Sequence, residues 1–118
     1  MPAKGQLAVI RLLEPARALA NGRGYLPINA LLIKPVAAAS GDVVCRHGPL
    51  VTINARLRAV ADKMDARQRL LPRWHGCHYL AAAEFLVLST VRSSFDGRYL
   101  GPIDRGVVLG TAVPIWTR

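Results

Sequence analysis

Lys34 follows Leu31-Leu32-Ile33 and precedes Pro35-Val36, so its neighbours along the chain are apolar. Arginine keeps its charge in any protein setting, whereas lysine gives up its proton readily once burial disfavours the ammonium. The chain holds thirteen arginines and three lysines, Lys4, Lys34 and Lys63, and a lysine inside an apolar run stands apart from that general supply of charge. Bringing a lysine from about 10.4 to between about 7 and 8 takes roughly 4 kcal/mol of differential solvation, a magnitude that burial supplies. Lys34 is therefore a candidate general base for a hydroxyl nucleophile. The competing reading is an edge-strand lysine whose stem covers apolar surface while its head reaches water.

A second constellation is Ser93-Ser94-Phe95-Asp96-Gly97-Arg98-Tyr99-Leu100-Gly101-Pro102. An acid two residues before an arginine, with hydroxyls on one side and Gly-Pro on the other, reads as a loop held by an ion pair. Such a loop can orient a catalytic base. The plainer alternative is a tight turn with a surface pair worth at most about 1 kcal/mol.

Cys45 and Cys77 are the only cysteines. A bond between them would close a loop of about 32 residues and contribute roughly 3.5 to 4 kcal/mol in the chain-entropy account. Two unrelated free thiols are the second reading. A third uses His47, His75 and His78: Cys45-x-His47 and His75-x-Cys77-His78 offer five soft or borderline ligands, though at spacings unlike the common structural zinc sites.

These groups need strands to hold them. Gly5 to Leu13 is predicted as a strand, and Glu14-Pro15 suits the first turn of a helix that continues over Ala16 to Ala20 and ends at Asn21, Gly22 and Gly24. Leu31 to Val36 is a second strand, with Pro35 marking an edge or a bulge. Val43 to Arg46 and Leu50 to Asn54 form a hairpin about His47-Gly48-Pro49. Ala55 to Arg73 carries six cations against Asp62 and Asp65 and lacks a wide apolar face, which favours a loop. Glu84 to Ser89 and Val107 to Val113 are further strands, with Gly97, Gly101, Pro102 and Gly106 punctuating the gap. The pattern implies a mainly β, antiparallel fold with one short helix.

The length suits a single domain, residues 1–118. With 52% hydrophobic residues the chain can build a core, which argues against disorder. Runs such as Ala30 to Ile33 and Phe85 to Leu88 fall well short of the roughly 20 residues of a membrane span. Arg11 and Glu14 interrupt any secretory pattern in Lys4 to Pro15, so neither anchor nor export signal is expected in these residues. Seven acids against sixteen cations give a net charge of +9, and the dense stretch Arg56 to Arg73 leaves contact with an anionic membrane surface open. Its lack of interleaved aromatics argues against single-stranded nucleic acid.

Taken together, Lys34-Pro35-Val36-Ala37-Ala38-Ala39-Ser40-Gly41-Asp42 and Ser94-Phe95-Asp96-Gly97-Arg98-Tyr99-Leu100-Gly101-Pro102 resemble the serine-lysine signal peptidases of the type I class, most closely their conjugative-transfer branch, TraF. Gly24-Tyr25-Leu26-Pro27, the Cys45 and Cys77 pair, Trp74-x-Gly76-Cys77 and the closing Gly110 to Trp116 segment extend the likeness over essentially the whole chain. The resemblance implies a signal-peptidase-like β fold and a serine-type peptidase activity on a precursor or pilin peptide, with no cofactor and no metal. Lys34 would be the general base, Ser94 the hydroxyl that orients it, and Asp96 with Arg98 the brace of the loop. Gly41 and Asp42 match the turn after the base strand, and the Cys45 and Cys77 pair agrees with the periplasmic face of the inner membrane, where full-length members sit.

Departures accompany the match. Gly97 stands where the general signal peptidases have a serine, and Val91-Arg92 replaces an Arg-Asp of their longer motif, which implies a thinner bracing network. The family's nucleophilic serine lies in a Ser-x-x-Pro segment upstream of the lysine, yet the first serine here is Ser40, six residues after Lys34. Neither Ser40 nor Ser94 fits the nucleophile's place, and Met1-Pro2-Ala3-Lys4-Gly5 resembles the stretch that follows it. The expectation is a peptidase domain that is N-terminally incomplete and inactive by itself. A non-catalytic peptide-binding or assembly module of a conjugative transfer system is the alternative.

Overall fold

The computed structural model describes residues 2–14, 16–26 and 31–112, apart from the side chain of residue 105. Met1, Pro15, Pro27, Ala30 and residues 113–118, with Val113 and Trp116 among them, lie outside the described residues, so the expectations that fall on them stop there.

Strands β1 (Leu7–Ile10), β2 (Leu32–Ala38), β7 (Glu84–Val87), β8 (Ile103–Asp104) and β9 (Val108–Ala112) form a sheet in the order β8-β7-β2-β1-β9. A second sheet has the order β5-β4-β3-β6, from β3 (Val43–His47), β4 (Leu50–Ile53), β5 (Arg56–Val60) and β6 (Gly76–Tyr79). Every strand pairing is antiparallel. Helix α1 (Ala16–Gly22) follows β1, and helix α2 (Gly97–Leu100) lies between β7 and β8. The fold is mainly antiparallel β, as the turn-rich sequence implies, but it carries a second short helix where a single one is expected.

Strand β2 lies between β1 and β7, but β7 pairs with it only from Val36 onward, so Pro35 stands where the open edge of Leu32 to Lys34 ends. The bulge is real: the β2–β7 register shifts between Val36 and Ala38. A bulge re-aims the strand, and its effect is visible in the packing. Leu32 and Val36 join one apolar cluster with Ile10, Phe85 and Val87, whereas Ala38 joins a second with Val44, Val51, Leu80, Leu86 and Leu88. Successive residues of β7, and Leu88 just after it, divide between the two clusters, Phe85 and Val87 into the first, Leu86 and Leu88 into the second. The bulge in β2 and the alternation along β7 thus let the two strands serve both cores.

Residues 55–73 are only partly the loop the charge pattern favours. Asn54 and Ala55, with φ of 51° and 68°, make the two-residue turn of a β4–β5 hairpin, and Ile53 pairs with Arg56 across it. The remainder, residues 61–75, is irregular apart from a bridge between Met64 and Leu70. Asp65 organises it: its carboxylate accepts from Tyr25 Oη at 2.6 Å, from Arg69 Nε at 2.7 Å and from the backbone N–H groups of Arg67 and Arg69. Those donors hold the Asp65 carboxyl well below the usual carboxylate range, against the opposing effect of burial. β6 was also missed by the strand pattern, since Gly76-Cys77-His78-Tyr79 offers little apolar alternation.

Among the described residues no helix is long and apolar enough to cross a membrane.

Candidate active site

Helix α2 is one turn long, and its sequence explains both ends. Asp96 takes the extended N-cap conformation, and its side chain accepts from the Arg98 N–H at 3.0 Å. Gly101 follows the last residue at φ 72°, a conformation that glycine adopts without strain. The helix lies so close to β7 that a Cβ on Gly97 would sit 2.4 Å from the Val87 carbonyl oxygen. Gly97, where the resemblance would place a serine, is thus required to be glycine by the packing in this chain.

Asp96 is fully buried and Arg98 is 2% exposed. Two buried charges are tolerated only when each is paired and its remaining bonding capacity is filled. Arg98 meets that condition: Nε donates to Asp96 Oδ1 at 2.9 Å, Nη2 to Asp96 Oδ2 and the Ser89 carbonyl, and Nη1 to the carbonyls of Arg92 and Val60. Five acceptors match the five N–H bonds of a guanidinium. Asp96 Oδ2 also accepts from the Ser89 N–H at 2.7 Å. The surface-pair reading of this segment is therefore replaced by a buried, saturated network.

Lys34 reaches this network from β2. It shares a strand face with the buried Leu32 and Val36, and its Nζ donates to Ser94 Oγ. Ser94 is itself buried, two residues before Asp96. Burial pushes the Lys34 pKa below its ordinary value; the Asp96 carboxylate opposes that shift and the Arg98 guanidinium adds to it. Because Asp96 and Arg98 form a pair, their fields largely cancel at Lys34 and desolvation decides the direction. Lys34 is thus brought from a distant part of the sequence to Ser94, Asp96 and Arg98.

Two further residues, to which the motifs assign no role, support α2. Arg46, 3% exposed in β3, donates to the carbonyls of Arg98 and Gly48 and lies 5.9 Å from the centre of the Tyr99 ring. Trp74 Nε1 donates to the Gly97 carbonyl at 3.0 Å and to that of Arg98 at 3.2 Å. Between them they satisfy the Arg98 carbonyl, which so short a helix leaves open, while the Gly97 carbonyl that Trp74 also reaches accepts in addition from the Gly101 N–H. The signal for Arg46 was the one that singled out Lys34, a cation inside a strand run.

Asp42 anchors the turn after β2. Its carboxylate accepts from the Ala39 N–H, from Asn54 Nδ2 and from Lys4 Nζ. The Ala39 and Asn54 hydrogen bonds chiefly hold its pKa down at about 2, with Lys4 assisting. Ser40 is exposed in the same turn, beyond the end of β2 and six residues after Lys34. Arg92 donates to the Val60 carbonyl and pairs with Asp62 at 3.0 Å. A cleft of about 520 Å³, lined in part by Tyr25, Met64, Leu71, Phe95 and Tyr99, opens beside Ser93, the neighbour of Ser94.

Cys45 and Cys77 face each other across β3 and β6 and are bonded, which removes the free-thiol and metal-thiolate readings for this form. His47 Nε2 lies 3.8 Å from Cys77 Sγ. His78 turns instead to the Trp74 ring, at 5.7 Å between centroids.

Comparison with known proteins gives the family and the fold. Residues 1–117 match the family described as signal peptidase, peptidase S26. Two Escherichia coli proteins, each named plasmid transfer protein TraF, are 38% and 36% identical over 99 and 100 residues, covering 80% and 82% of this chain and 56% and 53% of their own lengths. The chain thus spans about half the length of these relatives. A crystal structure of a signal peptidase I from Enterococcus faecalis superposes with a TM-score of 0.52 at 14% identity, over 96% of this chain and 97% of that one, and so shares its fold. With nearly its whole length matched and a TraF-like sequence on a signal-peptidase fold, the chain belongs to the signal peptidase family, on its TraF-related side.

Proposed function

We propose that this chain is the base-bearing part of a serine-lysine peptidase that cleaves precursor peptides. The observation that carries the reading is the hydrogen bond from half-buried Lys34 to buried Ser94, with Ser94 fixed by the Asp96–Arg98 loop. In this mechanism neutral Lys34 takes the proton of a serine hydroxyl, the serine attacks the scissile carbonyl, and Lys34 returns the proton to the leaving amine; water then resolves the acyl-enzyme. Ser94 orients the lysine through its hydroxyl, and Asp96 and Arg98 act as positioning residues.

The substrate would lie as an added strand. Among the described residues β7 begins to pair with β2 only at Val36, so Leu32 to Lys34 have β1 on one side and no strand on the other. An extended peptide can complete that edge and present its carbonyl near Lys34. A pilin precursor is the substrate we favour, at the periplasmic face of the inner membrane, because the relatives are plasmid transfer proteins.

The 118 residues contain no serine before Ser40, so acyl transfer requires a hydroxyl from outside them. We expect the chain by itself to show no turnover of a signal-peptide substrate. Joined at its N-terminus to an apolar span and a Ser-x-x-Pro segment, it should cleave that substrate, and Lys34→Met should abolish cleavage. Turnover by the unjoined chain that disappears in Lys34→Met would contradict the first expectation. A joined protein that binds peptide without cleaving it would favour the alternative, a non-catalytic peptide-binding or assembly module.

A further inference from the structure

The face of the second sheet that carries the disulfide has a chemistry that the peptidase reading does not use. Cys45 and His47 are two residues apart on β3 and therefore project from the same side. Cys77 lies directly opposite Cys45 on β6, with Cα atoms 4.1 Å apart. The ligand atoms of Cys45, His47 and Cys77 all lie within 4.8 Å of one another. A tetrahedral zinc ion with bonds of about 2.3 Å to sulfur and about 2.0 Å to nitrogen needs ligand atoms about 3.6 Å apart. Cys77 Sγ and His47 Nε2 are already at 3.8 Å. His47 and Cys77 are exposed, which gives an ion a path to the site.

We propose that reduction of Cys45–Cys77 creates a binding site for a thiophilic divalent cation of the Zn²⁺ class, held by Cys45, Cys77 and His47 with water in the fourth position. A dithiol or phosphine reductant supplies two electrons, two protons are taken up, the S–S bond breaks and two thiols form. The cation then displaces both thiol protons and forms two metal–sulfur bonds, while neutral His47 donates its ring-nitrogen lone pair. Disulfide and metal exclude each other, and each ties β3 to β6. His78 is directed to Trp74, and Gly76 at φ 81° turns the chain between His75 and Cys77, so neither histidine belongs to the ligand set.

The test uses Co²⁺ as a spectroscopic probe. The chain is reduced with a phosphine, freed of reductant under inert gas and titrated with Co²⁺ while circular dichroism follows the fold. The proposal expects one equivalent to bind with sulfur-to-cobalt charge-transfer absorption, displacement by Zn²⁺, and no such band in the oxidised chain. Cys77→Ser should lose most of the band, and His47→Ala should weaken affinity at least tenfold with the fold intact. The proposal is overturned if the reduced, folded chain gives no thiolate band, if His47→Ala binds as tightly as the parent, or if reduction unfolds the chain and Zn²⁺ does not restore it.

Discussion

Lys34 in β2 and Asp42 just after the following turn show opposite outcomes of burial. For Lys34, desolvation penalises the ammonium, so between its lowered folded pKa and about 10.4 the unfolded chain binds more protons than the folded one. Stability therefore rises with pH across that window, and the folded chain bears the full penalty below it. For Asp42, hydrogen-bond donors outweigh desolvation and depress the pKa to about 2. Its contribution is complete above an unfolded value of about 3.9 and is lost as pH falls through about 2. That difference corresponds to about 2.5 kcal/mol. Asp42→Asn should flatten the loss of stability between about pH 4 and 2 and lower stability at pH 7 by about that amount. Denaturant unfolding of the two proteins at several pH values reads it directly, and parallel pH profiles would refute the assignment.

At the scale of elements, α2 is held by groups it cannot replace. Asp96→Asn keeps the cap's shape but leaves Arg98 as a buried charge without its counter-ion, a change worth about 3 to 5 kcal/mol of destabilisation. Equilibrium unfolding checks this, and a loss below about 1 kcal/mol would mean that the network is looser than its hydrogen bonds imply. The β4–β5 turn points the other way. Ala55 occupies a left-handed conformation at φ 68°, which costs a non-glycine residue of order 1 kcal/mol. Ala55→Gly should raise stability by about 0.5 to 1 kcal/mol, read as a higher unfolding midpoint. This alanine is also why β5 escapes a sequence reading: Asn-Gly announces such a turn, Asn-Ala does not, and the strand beyond it exposes Leu57. β6 forms because β3 and the disulfide claim it, not because of any alternation of its own. In contrast, β2, β3, β4 and β7 were legible from their apolar runs. Helix α2 hid behind Gly97 and Gly101, read as punctuation, although Asp96 and Gly101 mark its two ends. Lys34, Ser94, Asp96 and Arg98 were legible as a set through the family resemblance, whereas Arg46 and Trp74 act through backbone carbonyls that a sequence does not display.

At the scale of the whole molecule, β2 and β7 of the first sheet pack into both apolar clusters, and the site lies where Lys34 of the first sheet meets a loop tied to the second by Arg46. The disulfide supports that second sheet. Its reduction should lower stability by about 3.5 to 4 kcal/mol, measured by unfolding with and without reductant in the absence of metal ions. A drop below about 1 kcal/mol would show that strand pairing alone suffices. The central claim is that this architecture, and not the lysine's local sequence, makes Lys34 a base. The most direct measurement is an NMR titration of the Lys34 side chain in the folded chain and in the chain unfolded by urea. The account predicts a folded pKa clearly below the value near 10.4 that returns on unfolding; a folded value equal to or above the unfolded one would contradict it.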